Sequence, residues 1–123
     1  MKSTATLEVY QNGTIIFSST GKWLHPLFDL EKFIKENNLP TEDMVIKDKI
    51  VGKASAMLIF RLGFRTVEAG TLSMPAKDFF SGNGIGFTYD KLVDLIDCKT
   101  EIILKDIRDP EEAYQILKER AKS

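Results

Sequence analysis

Residues 48–75 read DKIVGKASAMLIFRLGFRTVEAGTLSMP, and the apolar run inside them narrows the folds open to this chain. Ile50, Val51, Ala54, Leu58 and Leu62 recur at helical spacing, while Met57, Ile59 and Phe60 widen the stripe until its second half is apolar almost all round. A helix of that kind is buried on several sides, so the spacing predicts a central core helix over 48–62. Gly52, Ser55 and Ala56 leave room for a neighbouring backbone, and Gly63 supplies a left-handed stop. Thr66–Leu72 then reads as a short buried strand. Ser73 reads as the N-cap of a further helix with Pro75 in its first turn.

The flanking segments supply partners for that helix. Leu7 and Val9 alternate with polar residues, and Thr14-Ile15-Ile16-Phe17 follows Asn12-Gly13, the dipeptide that suits a type I′ turn, so an antiparallel hairpin is expected. Leu27, Leu30, Phe33 and Ile34 predict a helix ended by Asn37-Asn38-Leu39-Pro40, with Thr41–Lys47 as a connector. Beyond Gly82-Asn83-Gly84, Ile85–Thr88 suits a short strand, and Tyr89–Ile96 carries Leu92, Val93 and Ile96 at helical spacing. Residues 98–107 suit either strand or helix. Asp109-Pro110-Glu111-Glu112 is a helix start, with Asp as cap, Pro in the first turn and two acids facing the dipole. Together these segments predict a single α/β domain over residues 1–123, a three-layer α-β-α arrangement of helices on both faces of a mixed sheet that opens with a β-hairpin.

Composition removes several function classes. Seventeen basic residues against eighteen acidic ones leave a net charge of −1, which gives no electrostatic basis for nucleic acid or an anionic membrane as partner. The single cysteine, Cys98, forbids an internal disulfide and fits a reducing compartment. The start MKSTATLEVYQNG has no apolar core of a signal peptide, and no run approaches the ~18 apolar residues of a membrane span, so a cytoplasmic location is expected.

Several motifs stand in an order that resembles a known family. Asp48-Lys-Ile-Val-Gly-Lys-Ala-Ser-Ala56, Ala69-Gly-Thr-Leu-Ser-Met-Pro-Ala76, Gly84-Ile-Gly-Phe-Thr-Tyr-Asp-Lys-Leu-Val93 and Asp109-Pro-Glu-Glu-Ala-Tyr114 together resemble the DUF1893 family of uncharacterised proteins. The resemblance implies a cytidine-deaminase-like fold with no established activity. Zinc deaminases open the central helix with His-x-Glu and the next helix with Pro-Cys-x-x-Cys. The matching positions here carry Gly52-Lys53-Ala54 and Ser73-Met74-Pro75-Ala76, and the one histidine, His25, lies in a separate connector. A zinc site needs three or four nitrogen and sulfur ligands, so no metal, no other cofactor and no zinc-dependent deamination is expected. The family pattern also places an Asn-Arg loop before a Cys-Pro-x-Glu segment. Cys98 and Glu101 match its Cys and Glu, whereas Ile96-Asp97 runs straight into Cys98 without the loop.

By analogy with that fold, a ligand would sit between the starts of the central helix and the next one, where free N–H groups and the helix dipole favour an anion. The residues that would line such a pocket are Asp48, Lys49, Gly52, Lys53, Thr71 and Ser73, with Lys49 and Lys53 one helical turn apart. The plainer alternative is a solvated helix start with Asp48 as N-cap and both lysines extended into water. Cys98 with Glu101 could form a thiol and its acid partner, but a buried inert thiol is the commoner outcome. His25 reads as a loop histidine, Ser73 as a cap without a Gly-x-Ser-x-Gly elbow, and Gly82-Asn-Gly-Ile-Gly86 as a turn without phosphate-loop spacing. The leading expectation is a small-molecule or anion-binding domain without zinc chemistry. The alternatives are a metal-independent enzyme that uses Lys53 with Asp48 and Cys98, and an interaction protein that forms a homodimer.

Overall fold

Asn12 and Gly13 both take positive φ, 53° and 80°, the backbone that a tight hairpin turn needs, and they fold β1 (Leu7–Gln11) against β2 (Thr14–Ser19). A computed structural model describes residues 5–21, 24–96, 103–104 and 106–121. After the hairpin come α1 (His25–Asn37), a 3₁₀ turn (Thr41–Asp43), β3 (Val45–Val51), α2 (Lys53–Arg61), β4 (Thr66–Ser73), α3 (Met74–Gly82), β5 (Gly86–Val93) and α4 (Pro110–Ala121). The strands form one mixed sheet in the order β2-β1-β3-β4-β5. β1 is antiparallel to both β2 and β3, whereas β3, β4 and β5 are mutually parallel. Strands and helices alternate along the chain in the manner of a three-layer α/β fold.

The expected helix over 48–62 is wrong in its first third. Val45–Val51 is the central strand, paired on one side with β1 (Leu7 opposite Asp48) and on the other with β4 (Asp48 opposite Ala69, Val51 opposite Leu72). Val45, Ile46, Ile50 and Val51 are β-branched and well suited to a strand, and pairing with β1 over Val45–Asp48 and with β4 out to Val51 supplies ladder partners that an isolated segment lacks. Ile50 and Val51 continue the stripe of Ala54 and Leu58 only by coincidence of spacing. Gly52, extended at φ −97° and ψ −177°, divides strand from helix and takes the cap position that the sequence suggests for Asp48. The connector expected over 41–47 is accordingly a single 3₁₀ turn and the start of β3. Tyr89–Ile96 is also not helical: β5 runs to Val93, held by its register with β4 from Thr66–Gly86 to Ser73–Val93. His25 is the first residue of α1 rather than part of a connector.

The helix that remains, Lys53–Arg61, is as enclosed as its composition requires. Residues Ala54 to Ile59 are all buried, and α2 touches α1, α3, α4 and β3. The sheet face carrying Leu7, Val9, Ile46 and Val67, each at 1% exposure or less, supplies the floor of the core. Phe17 of β2 meets Phe33 of α1, and Phe87 of β5 meets Phe80 of α3, with ring centres 5.3 and 5.8 Å apart. Among the described residues no helix is long and apolar enough to cross a membrane.

Candidate functional site

Strand direction gathers the helix starts at one edge. Because β1 opposes both its neighbours, β2 runs parallel to β3, and hence β2, β3, β4 and β5 all point the same way. The helices that follow β2, β3 and β4 therefore begin at the carboxyl edge of the sheet. Thr6 joins the edge together: its carbonyl accepts from the Lys49 N–H at 2.9 Å, and its hydroxyl donates to the Gly21 carbonyl at 2.8 Å. Since Val51 pairs with Leu72, the next residues, Gly52 and Ser73, are neighbours that cap α2 and α3 side by side. Carboxyl edges of parallel strands are where open α/β sheets bind ligands.

The candidate residues fare differently there. Ser73 is fully buried, and its hydroxyl accepts from the Ala76 N–H at 3.2 Å as the α3 cap. Thr71, half-buried, pairs with Ile50 just below. Lys53 begins α2 and donates from Nζ to the Leu104 carbonyl at 2.6 Å, which ties the segment before α4 to the edge. Lys49 and Lys53 are not one helical turn apart: Lys49 is an exposed strand residue, separated from the helix by Gly52. Asp48 is not a helix cap but a strand residue that alternates to the same face as the fully buried Ile46. Its register partners are Leu7 and Ala69, both apolar and buried. Burial in that company pushes the Asp48 carboxyl up to about 7, against the opposing effect of hydrogen bonds from the Ile50 and Lys49 N–H groups. Cys98 and Glu101 lie outside the described residues. Among the described residues no group of three or more His, Cys, Asp or Glu side chains is arranged to hold a metal ion.

A second polar constellation joins α1, α2 and α4. Glu31, at 8% exposure, accepts from the Tyr114 hydroxyl at 2.7 Å and from Arg61 Nη1. Arg61 Nε donates to Glu111 at 2.7 Å, so one guanidinium bridges acids on two helices. Lys118 Nζ donates to the Tyr114 hydroxyl at 3.0 Å. Burial pushes the Glu31 carboxyl up, but the Tyr114 and Arg61 hydrogen bonds and the Arg61 charge more than offset it, and the group sits below the usual carboxylate range. Burial likewise opposes the Arg61 charge, and its hydrogen bonds to Glu111 and Glu31 outweigh that and raise it. The hydrogen bond to Tyr114 raises Lys118.

Sequence reasoning missed this group because its members are distant in the chain and each has an ordinary local role. Glu31 is an acid in the middle of α1, Arg61 a basic residue in a last turn, and Glu111 an acid in a first turn. One signal was present: Tyr114 follows Ala113 on the inner face of α4, where a buried phenol requires a partner.

Comparison with known proteins adds a family. The model described as "Domain of unknown function (DUF1893)" matches residues 1–121. The crystal structure of a DUF1893 family protein from Thermotoga maritima is similar to this chain with a TM-score of 0.83 and 27% sequence identity, covering 94% of this chain and 80% of that one. No curated protein matches the chain.

Proposed function

The chain belongs to the DUF1893 family, and from that premise we propose that it is a small-molecule-binding domain whose ligand sits at the carboxyl edge, against the paired starts of α2 and α3. The observation that carries this reading is the position of Asp48, a half-buried carboxyl with a pKa near 7 placed four residues before the Gly52 cap. A carboxyl in that state gives up or keeps its proton according to what approaches it, and such groups concentrate at functional sites. Helix starts favour an acidic ligand group. The rim favours an apolar portion as well. Of the large apolar side chains left exposed, Ile50, Met74 and Leu95 follow one another around this edge, whereas Ile15 lies in the hairpin and Tyr89 on the outer strand.

Calorimetric titration with nucleobases, nucleoside monophosphates and inorganic phosphate tests the proposal. Saturable binding of one of them is expected, and its change in affinity between pH 6 and 8 should be smaller in Asp48→Asn, where only the ligand's own ionisation remains to titrate. Absence of binding across the panel would remove the reading. Lys53→Ala probes the same edge, and Thr71→Val is the milder companion, since Lys53 also holds Leu104.

The state of Asp48 also favours a second reading, a metal-independent enzyme in which Asp48 rather than Lys53 transfers the proton, because a general acid or base works best with a pKa near the working pH. A ligand consumed during titration, with product absent in Asp48→Asn, would separate this reading from simple binding.

A further inference from the structure

Between α1 and α4 lies a groove of about 470 Å³ that the carboxyl edge does not use. Its floor is aromatic: the Phe28 and Tyr114 rings meet edge to face, with centres 6.0 Å apart and planes at 61°. Lys32 and Lys35 of α1 and Lys118 of α4 line it, His25 stands at the start of α1, and Glu31 and Glu36 are its acids. Glu31 offsets Lys35, with which it pairs at 3.9 Å, but its carboxylate is held mainly by Arg61 and the Tyr114 hydroxyl, which leaves Lys32 and Lys118 as the groove's leading cations. Tyr114 also holds the Lys118 ammonium at 3.0 Å, so one cation is fixed beside the aromatic floor. The spacing of Phe28, Lys32 and Lys35 puts an aromatic ring and two ammonium groups on one side of a helix, and α4 supplies the matching pair, Tyr114 and Lys118, one turn apart.

We propose that this groove binds a small aromatic anion, its ring against Phe28 and Tyr114 and its acidic group among Lys32, Lys35 and Lys118. A flat ring matches a floor of ring faces and edges, and ammonium groups suit carboxylate and phosphate alike. The groove is open to solvent on one side, so affinity for a single-ring ligand is expected on the order of 1 mM.

The test is a titration of the whole chain followed by two-dimensional NMR, with benzoate and phenyl phosphate as probes. Benzyl alcohol serves as the uncharged ring and inorganic phosphate as the anion without a ring. Saturable shifts centred on Phe28, Tyr114 and Lys118 are expected for both aromatic anions, with the stronger of the two identifying the preferred acidic group. Lys32→Glu should weaken binding by roughly tenfold through loss and reversal of one charge, Lys35→Gln should weaken it less, and Lys91→Glu on β5 should leave it unchanged. An equal response to benzyl alcohol, shifts scattered over the surface, or indifference to Lys32→Glu would each overturn the proposal.

Discussion

The guanidinium carbon of Arg61 lies 3.5 Å from the centre of the Tyr114 ring, while the hydroxyl of that ring donates to Glu31, the acid that Arg61 also binds. Cation, ring and carboxylate thus form a closed triangle across α2, α4 and α1. The ring face attracts the cation, and the acids it bridges leave neither charge unpaired in a half-buried setting. The α4 helix is fastened through its own Tyr114 and Glu111, while Ala113 and Leu117 are fully buried on its apolar side.

Removing one member of the triangle should cost more than the bond it makes. Tyr114→Phe keeps the ring over Arg61 but deprives Glu31 of a donor, for an expected loss of about 1–2 kcal/mol. Arg61→Ala leaves Glu31 charged and poorly paired, for an expected loss of about 3 kcal/mol. Urea denaturation measures both. Hydrogen exchange should show the loss first in α4, and a uniform change across the sheet would contradict this account.

Acid should weaken the same triangle. The folded-state pKa of Glu31 is depressed from 4.5, so its contribution is present above about that pH and is lost as pH falls through the lower folded value. Glu31→Gln should therefore be less stable than the natural chain at neutral pH, and the difference should shrink in acid. Thermal melts from pH 7 to pH 3 report it, and a constant difference over that range would show that Glu31 is not held ionised by its partners.

How far the fold could be read in advance depended on whether local and tertiary demands agreed. At Asn12-Gly13 the turn chemistry is local, and at Ser73 and Asp109 the caps are local too. The Ser73 hydroxyl accepts from Ala76, and an Asp109 carboxylate oxygen accepts from the Glu111 N–H at 3.1 Å. At Val45–Val51 they disagreed, because a strand between two partners is stabilised by β1 and β4, which are remote in sequence. The candidate site inherited that error. Gly52, Lys53, Thr71 and Ser73 do converge at one edge, but Lys49 stays in β3 despite its helical spacing from Lys53, and the unusual state of Asp48 arises from Leu7 and Ala69 beside it, which no local pattern encodes.

Gly70 marks where two strands leave no room for a side chain. A Cβ at this position would come within 2.5 Å of the Lys49 carbonyl oxygen, which is backbone and cannot swing away. Gly70→Ala should force β3 and β4 apart close to the carboxyl edge and destabilise the chain by about 2 kcal/mol. The loss should appear as a lower denaturation midpoint. Gly82→Ala, with nothing within 4 Å of its Cβ, is the control and should be nearly silent.

Asp48 should give the chain a pH dependence opposite in sign to that of Glu31. Its folded-state pKa is raised, from 3.8 to about 7, so below about pH 3.8 it is protonated both folded and unfolded and costs nothing. Between those values the folded chain holds a proton that the unfolded chain has released, and stability falls as pH rises. Above about 7 the whole cost of burying the charge is present, about 4 kcal/mol for a shift of this size. Asp48→Asn removes the charge and keeps one oxygen to accept from the Lys49 or Ile50 N–H. It should therefore be more stable than the natural chain at pH 8, on the order of 2 kcal/mol once the second hydrogen bond is forfeited, and close to it at pH 4. Urea titrations at the two values decide the matter. A parallel fall of both proteins with pH would mean that the carboxyl ionises freely in the fold. The predicted divergence would mean that a group at the ligand edge is kept protonated near neutrality at a standing cost to stability, which is the bargain expected of a residue retained for binding or proton transfer rather than for folding.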